Sequence, residues 1–194
     1  MRKMDKLSIM IVGVGGQGTL LASRILGVIA FKMNYDVKVS EVHGMSQRGG
    51  SVVTYVKYGP KIYSPLIEKG EADIILAFEK LEALRWTEYL KKDGMMIINE
   101  QEIDPLPVIT GAAKYPSEII NTINRQYKNV FTLNALKIAR ECGNLKAVNI
   151  VLLGVMAAKT AIPKQIWDEA IRETVPAKVL NVNIEAFNAG YQAI

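Results

Sequence analysis

The fold is decided near the start of the chain, where residues 8–18 have the sequence SIMIVGVGGQG. The apolar run that opens this stretch predicts a strand buried on both faces of a sheet. Glycines follow at once in the pattern G-x-G-x-x-G, and apolar residues then recur at helical spacing, at Leu21, Ile25, Val28 and Ile29. Strand, glycine turn and helix in this order begin a βαβ unit. The sequence therefore predicts an α/β fold.

The alternation of strands and helices continues along the chain. Apolar or β-branched runs predict further strands over 37–42, 51–56, 73–78, 95–99 and 129–132, with Lys61–Ser64 as a hairpin partner and a short strand at 108–109. Helical spacing predicts helices over 79–90, 119–123 and 136–139, then three in succession over 147–159, 163–174 and 178–193. We expect one domain over 1–194, a doubly wound, mostly parallel sheet with helices on both faces and a helical C-terminal part from about residue 146.

Composition excludes several classes of protein. With 194 residues, 49% hydrophobic and 22% charged, the chain has the make-up of a globular domain. Its single cysteine, Cys142, cannot form an internal disulfide or hold an iron–sulfur cluster or a cysteine-based zinc ion. The net charge of +5 is dispersed, which argues against nucleic-acid binding. The apolar stretches are too short for a secretory signal or a membrane span, so we expect a cytoplasmic protein without a membrane partner.

The glycine pattern is the first candidate binding site. In such a turn Gly13 permits the tight bend, Gly15 lets phosphates approach the backbone, and Gly18 lets the helix pack against the strand. The amides at the helix start then face an anion, with the helix dipole behind them. We assign cofactor binding to these three glycines together with Gly16 and Gln17. A turn that only packs helix on strand, with no ligand, stays open as the alternative.

A dinucleotide site would also need an acidic residue about 20 positions further on, to hold the ribose. Glu41 is the candidate. With the glycine pattern, it supports a second interpretation, a free-standing NAD(P)-dependent oxidoreductase. A third interpretation is a nucleotide-sensing or scaffold module whose final helix docks a partner.

A polar, glycine-rich loop follows the second predicted strand. Histidine can transfer protons near neutral pH, arginine can clamp a carboxylate or phosphate, and the carboxyl ends of strands are where open α/β sheets bind ligands. We assign a substrate- or partner-facing role to Glu41 and to the loop residues His43, Gln47, Arg48, Gly49 and Gly50. An ordinary solvated loop is the alternative.

Familiar catalytic motifs are absent from the sequence. It contains no G-K-[ST] phosphate loop, no H-E-x-x-H, no G-x-S-x-G and no cluster of histidine and cysteine. We therefore assign no catalytic residue and no metal ligand in this chain. The pattern favours a ligand-holding subunit over a complete enzyme.

Three stretches together resemble a known family: Ile11–Gly18, Glu41–Val52, and the tail containing Asn183, Ala186, Phe187 and Gly190. They are similar to the gamma-type component of 2-oxoacid:ferredoxin oxidoreductases. The loop His-Gly-Met-x-Gln-Arg-Gly-Gly is the most specific part, and it most resembles the small subunit of the indolepyruvate enzymes. A gamma subunit acting on pyruvate, 2-oxoglutarate or 2-ketoisovalerate is the alternative within the family.

The resemblance implies that the cofactors are held by another subunit. In that family a 2-oxo acid is oxidatively decarboxylated with thiamine diphosphate, electrons pass through iron–sulfur clusters to ferredoxin, and an acyl-coenzyme A is released. The thiamine diphosphate and the clusters belong to a large partner subunit, so we expect this chain to hold no cofactor by itself and to shape the site through an interface. An isolated chain could instead form a homodimer.

Overall fold

The computed structural model describes residues 6–43 and 50–194, with the backbone alone at His43. In these ranges six strands form one sheet in the order β2-β3-β1-β4-β5-β6. The strands are β1 Leu7–Val14, β2 Asp36–His43, β3 Ser51–Gly59, β4 Ala72–Ala77, β5 Leu90–Asn99 and β6 Asn129–Leu133. The helices are α1 Thr19–Lys32, α2 Lys80–Arg85, α3 Leu106–Ile109, α4 Ile119–Gln126, α5 Ala135–Glu141, α6 Val148–Lys159, α7 Lys164–Thr174 and α8 Leu180–Gln192.

Strand direction confirms the prediction of a mostly parallel sheet. Strands β1, β4, β5 and β6 pair in parallel, each with its neighbour. Strand β3 is antiparallel to both β1 and β2, so β2 runs in the same direction as the other four. The βαβ unit formed by β1, α1 and β2 is therefore split by β3, which lies between its two strands.

Helices cover both faces of the sheet, as predicted. Side chains of β1 alternate between the faces, with Ile9 and Ile11 packed in one core and Met10 and Val12 in the other, all fully buried. The first core includes residues of α1 and of α5 to α8. The second, smaller core is closed by α2 and α4. We call these the thick face and the thin face.

The predicted helical C-terminal region is also confirmed, and glycines bring two of its helices into backbone contact. A Cβ atom built on Gly190 of α8 would lie 2.0 Å from the carbonyl oxygen of Val151 in α6. One built on Gly154 of α6 would lie 2.2 Å from the carbonyl oxygen of Phe187. A side chain larger than glycine at either position would separate the helices.

Three local predictions were wrong. Lys61–Ser64 is not a strand, because both edges of β3 are already paired with β1 and β2. Residues 108–109 belong to the short helix α3, which begins directly after Pro105. The helix predicted over 79–90 ends at Arg85 and is followed by a 3₁₀ turn at Thr87–Tyr89.

In the described ranges, every helix is too short or too polar to span a lipid bilayer.

Candidate ligand-binding site

The glycine turn has backbone geometry that requires glycine. Gly16 and Gly18 have φ angles of 94° and 84°, in the left-handed region. A Cβ atom on Gly13 would lie 2.7 Å from Oε1 of Gln17 and 3.1 Å from Cβ of Phe78. The glycine pattern is thus explained by local geometry before any ligand is considered.

Gln17 closes the turn with its side chain. Its Oε1 accepts a hydrogen bond from the N–H of Val14 at 2.7 Å, and its Nε2 donates to the carbonyl of Phe78 at 3.0 Å. A weaker contact of 3.3 Å joins Nε2 to Oε1 of Gln101. The side chain therefore joins the end of β1 to the segments that follow β4 and β5. Its amide has a structural role that the sequence pattern did not indicate.

Asn149 of α6 holds the other end of the turn. It is buried, its Nδ2 donates to the carbonyl oxygen of Gly18 at 3.1 Å, and a Cβ on Gly18 would lie 2.7 Å from that nitrogen. Its Oδ1 accepts from the N–H of Ile150 at 2.9 Å. No sequence motif assigned a role to this residue. The available signal was a single amide in the uncharged, apolar stretch 147–158.

A cavity of about 410 Å³ opens between this turn and the start of α6. Its polar wall includes Gly16, Gln17 and Lys146, and its apolar wall is formed by Leu21, Leu136, Leu145 and Val148. The starts of α1 and α6 both border it, and neither first turn carries an acidic side chain. Two positive helix ends and a lysine beside an apolar wall suit a ligand with an anionic group and an apolar part.

The glycine turn contacts the residue that precedes β3 at this edge of the sheet. The N–H of Gly15 donates to the carbonyl oxygen of Gly50 at 3.1 Å, directly beyond the last pair of the β1–β3 ladder, Val14 with Ser51. His43 ends β2, where its backbone pairs with Val52. The candidate residues Gln47, Arg48 and Gly49 lie outside the described residues.

Glu41 lies away from the position that a ribose-binding acid requires. It pairs with Thr54, which in turn pairs with Ile11, so it is level with the interior of β1 rather than with the glycine turn. Because β3 intervenes, Glu41 is two strands from β1, about 10 Å. Its Oε2 accepts a hydrogen bond from Oγ1 of Thr54 at 3.0 Å. This arrangement does not support dinucleotide binding of the Rossmann type.

On the thin face, buried Glu79 organises the loops around the end of β4. Its carboxylate caps α2 by accepting from the N–H of Glu82 at 2.8 Å, and it also accepts from the N–H of Ile103 at 3.2 Å. The hydroxyl of Tyr115 donates to the same carboxylate. Burial, followed by this hydrogen bond, raises the pKa of Tyr115 far above its usual range.

Comparison with known proteins identifies the family. The model of the family described as pyruvate ferredoxin/flavodoxin oxidoreductase matches residues 8–193. The chain belongs to this family. The predicted resemblance to 2-oxoacid oxidoreductase components is thereby confirmed.

Relatives within the pyruvate ferredoxin/flavodoxin oxidoreductase family differ in their similarity to the chain. The indolepyruvate oxidoreductase subunit IorB of Pyrococcus horikoshii is 43% identical, with 98% of this chain and 96% of that protein aligned. The pyruvate/ketoisovalerate oxidoreductases common subunit gamma of Pyrococcus furiosus is 26% identical, over 93% of this chain and 92% of that protein. The chain is thus more similar to the indolepyruvate subunit than to this gamma subunit.

Solved structures share the fold of this family member. The gamma subunit of a keto/oxoacid ferredoxin oxidoreductase from Geobacter sulfurreducens superposes with a TM-score of 0.72 at 23% identity, over 96% of each chain. A 2-oxoglutarate:ferredoxin oxidoreductase from Magnetococcus marinus, solved with 2-oxoglutarate, coenzyme A and succinyl-CoA bound, gives 0.74 at 19% identity. The match covers 97% of this chain and 31% of that one, so in that protein the same fold is part of a longer chain.

Proposed function

We propose that the chain is the small subunit of an indolepyruvate:ferredoxin oxidoreductase. The observation that carries the proposal is the 43% identity to an indolepyruvate oxidoreductase subunit over nearly the whole of both proteins, against 26% for a pyruvate/ketoisovalerate subunit. The reaction converts an aryl pyruvate and coenzyme A to acyl-CoA and carbon dioxide, and passes two electrons to ferredoxin. The chain works as one domain over its 194 residues, with a large partner subunit.

The large partner holds the thiamine diphosphate and the iron–sulfur clusters in this proposal. A single cysteine cannot supply the thiolates that a cluster needs. Thiamine diphosphate supplies the decarboxylation chemistry from the partner, and ferredoxin accepts electrons through the complex. No bond-making role belongs to a residue of this chain, and a cytoplasmic location stays a prediction.

The cavity beside the glycine turn receives coenzyme A in this proposal. Its two helix starts and Lys146 suit the phosphates, and Leu21, Leu136 and Leu145 suit the less polar arm. The volume of about 410 Å³ accommodates part of such a ligand rather than all of it. The fold shared with an enzyme solved with coenzyme A bound adds support.

The stretch from Glu41 to Gly50 faces the substrate or the partner subunit in this proposal. The 3.1 Å hydrogen bond between Gly15 and Gly50 supports this assignment, because it connects the last residue of the stretch to the glycine turn. Ligand and partner would then meet the chain at the same edge of the sheet, where open α/β sheets bind their ligands.

A substrate comparison tests the assignment. The chain is co-expressed anaerobically with its large subunit, and viologen reduction is followed with coenzyme A and indolepyruvate, phenylpyruvate, pyruvate or 2-oxoglutarate. We expect kcat/KM for the aryl pyruvates to exceed that for the other two acids at least tenfold, because one well-fitted aromatic contact contributes about 1.4 kcal/mol or more. Preference for pyruvate or 2-oxoglutarate would refute it.

A charge substitution tests the coenzyme A site. In the same complex we expect Lys146→Ala to raise the KM for coenzyme A about fivefold, with the KM for indolepyruvate unchanged, because a charge-assisted contact is lost. Lys137→Ala is the matched control, since Lys137 is an exposed lysine of neighbouring α5 that does not line the cavity. Equal effects of the two substitutions would reject the cavity as the site.

A further inference from the structure

A buried carboxylate lies on the thin face, near the contact between Gly15 and Gly50. Glu82 of α2 is only 4% exposed. Its Oε2 accepts hydrogen bonds from Oγ of Ser51 at 2.5 Å and from Nε1 of Trp86 at 3.3 Å, and Nε of Arg85 lies 3.5 Å from Oε1. Burial raises the pKa of this carboxyl group. Nothing in the proposed reaction uses it directly.

Ser51 connects this carboxylate to the candidate site. It is the first residue of β3 and pairs with Val14, the last residue of β1. The residue before it, Gly50, accepts the hydrogen bond from the N–H of Gly15. A continuous series of contacts therefore runs from Glu82 through Ser51 and Gly50 to the glycine turn, from one face of the sheet to its edge.

An acid at this position needs a reason beyond packing. A buried carboxylate lowers stability unless donors compensate for its lost hydration, and a leucine would pack α2 against the sheet without that loss. Of the contacts Glu82 makes, those with Trp86 and Arg85 stay within its own helix region, and the one with Ser51 crosses to the sheet. That contact is also the shortest of the three. The side chain thus connects α2 to the first residue of β3.

We propose that Glu82 is a positioning residue, which acts through Ser51 to set the separation between the glycine turn and Gly50, the residue before β3. The inference rests on the proposed function, since the edge it shapes is the proposed coenzyme A and partner site. Glu82 contacts no ligand itself. Its effect reaches the site through the hydrogen bond between Gly15 and Gly50.

Amide hydrogen exchange in the full chain tests the structural half without reference to activity. We expect Glu82→Ala and Ser51→Ala each to raise the exchange rate of the Gly15 amide about tenfold. Thr87→Val is the matched control, because it removes a buried 2.8 Å hydrogen bond to Ala83 in the same region without touching Ser51. An unchanged Gly15 rate in both test variants would overturn the proposal, as would an equal rise in the control.

Glu82→Gln keeps the test decisive if the alanine variant fails to fold. Its amide oxygen can still accept from Ser51 at nearly the same length, so we expect Gly15 exchange to stay within about threefold of the parent chain. Ser51→Ala retains the carboxylate and must still raise the rate. Faster exchange of the Gly15 amide in Glu82→Gln than in Ser51→Ala would contradict an effect that passes through Ser51.

Kinetics of the complex test the functional half. We expect Ser51→Ala and Glu82→Ala each to raise the KM for coenzyme A about fivefold with less than a twofold change in kcat. Because the two residues act in series, the KM of the double variant should be no higher than that of the more impaired single variant. A fall in kcat alone, or multiplying effects, would overturn it. If the unsubstituted complex is inactive with every 2-oxo acid, the proposed function fails, and hydrogen exchange still decides the positioning role.

Discussion

The two faces of the sheet are built from different chemistry. The thick face carries α1 and α5 to α8 over a large apolar core. The thin face carries two short helices, and in the described residues it is where the buried charged side chains Lys57, Glu79 and Glu82 lie. The difference indicates that apolar packing on the thick face supplies most of the stability, while the buried carboxylates of Glu79 and Glu82 on the thin face hold segments that border the candidate site.

The largest effect is expected where the thick face is most closely packed. Gly190→Ala places a methyl group 2.0 Å from the carbonyl oxygen of Val151, so α6 and α8 must separate, and we expect a loss of about 3 kcal/mol or more in unfolding free energy. Urea unfolding of the full chain measures it. Gly27→Ala in α1 is the control: it meets open space, and we expect a gain of about 0.5–1 kcal/mol. Similar losses in both variants would show that helix contact is not the cause.

On the thin face, Glu79→Ala removes the carboxylate that accepts three hydrogen bonds. We expect a loss of about 2–3 kcal/mol in urea unfolding, because the N–H groups of Glu82 and Ile103 lose their partner. Glu102→Ala is the control, since its carboxylate is 54% exposed and remains solvated apart from its contact with Lys80, and we expect a loss of less than about 1 kcal/mol. A loss at Glu79 no greater than at Glu102 would end the distinction between the two faces.

Local patterns made much of the fold predictable. The strand at 8–12 and the turn after it were predicted because an apolar run meets glycines whose positive φ angles the backbone requires. The last helix was predicted from apolar residues at helical spacing over 178–193, and one of them, Phe187, is fully buried in the thick-face core. Both signals lie within short stretches of sequence.

Features set by distant parts of the chain were not predictable. The position of β3 between β1 and β2 depends on pairing between strands that are distant in sequence. Because both edges of β3 are paired, the hairpin predicted at Lys61–Ser64 does not form, and Glu41 lies next to β3 rather than next to β1. Asn149 reaches Gly18 across 131 positions, and Glu82 reaches Ser51 across 31. No local period marks such contacts, so the sequence pattern indicated the glycine turn but not the roles of Asn149 and Glu82.

At the edge shared by both faces, Gln17→Ala should have an intermediate effect. We expect a loss of about 1–2 kcal/mol in unfolding free energy, because the N–H of Val14 loses the side chain that accepts from it, while the carbonyl of Phe78 keeps only the hydrogen bond from Asn99. Differential scanning calorimetry of the full chain gives the measurement. Gln165→Ala is the control, as its hydrogen bond to Glu169 is exposed, and it should change little. A stable Gln17→Ala chain would show that the turn holds its shape unaided.

The smallest expected effect is the pH dependence contributed by Glu82. Burial raises its folded-state pKa above the unfolded value, so its charged form is disfavoured in the native chain at high pH. As pH falls through the folded pKa toward the unfolded one, the parent chain should gain stability relative to Glu82→Gln, with a slope below ~1.4 kcal/mol per pH unit because one proton is involved. Urea unfolding of both proteins from pH 8 to pH 4.5 measures the difference. A slope of the opposite sign would mean that its hydrogen bonds outweigh burial.

Reconstitution tests the central claim most directly. The purified chain is titrated anaerobically into its separately purified large subunit, and viologen reduction by indolepyruvate and coenzyme A is followed at each ratio. We expect activity to rise with added chain and to level off at a fixed stoichiometry, because the small subunit completes the site. Full activity of the large subunit alone, or no activity at any ratio in a cluster-loaded complex, would contradict the account.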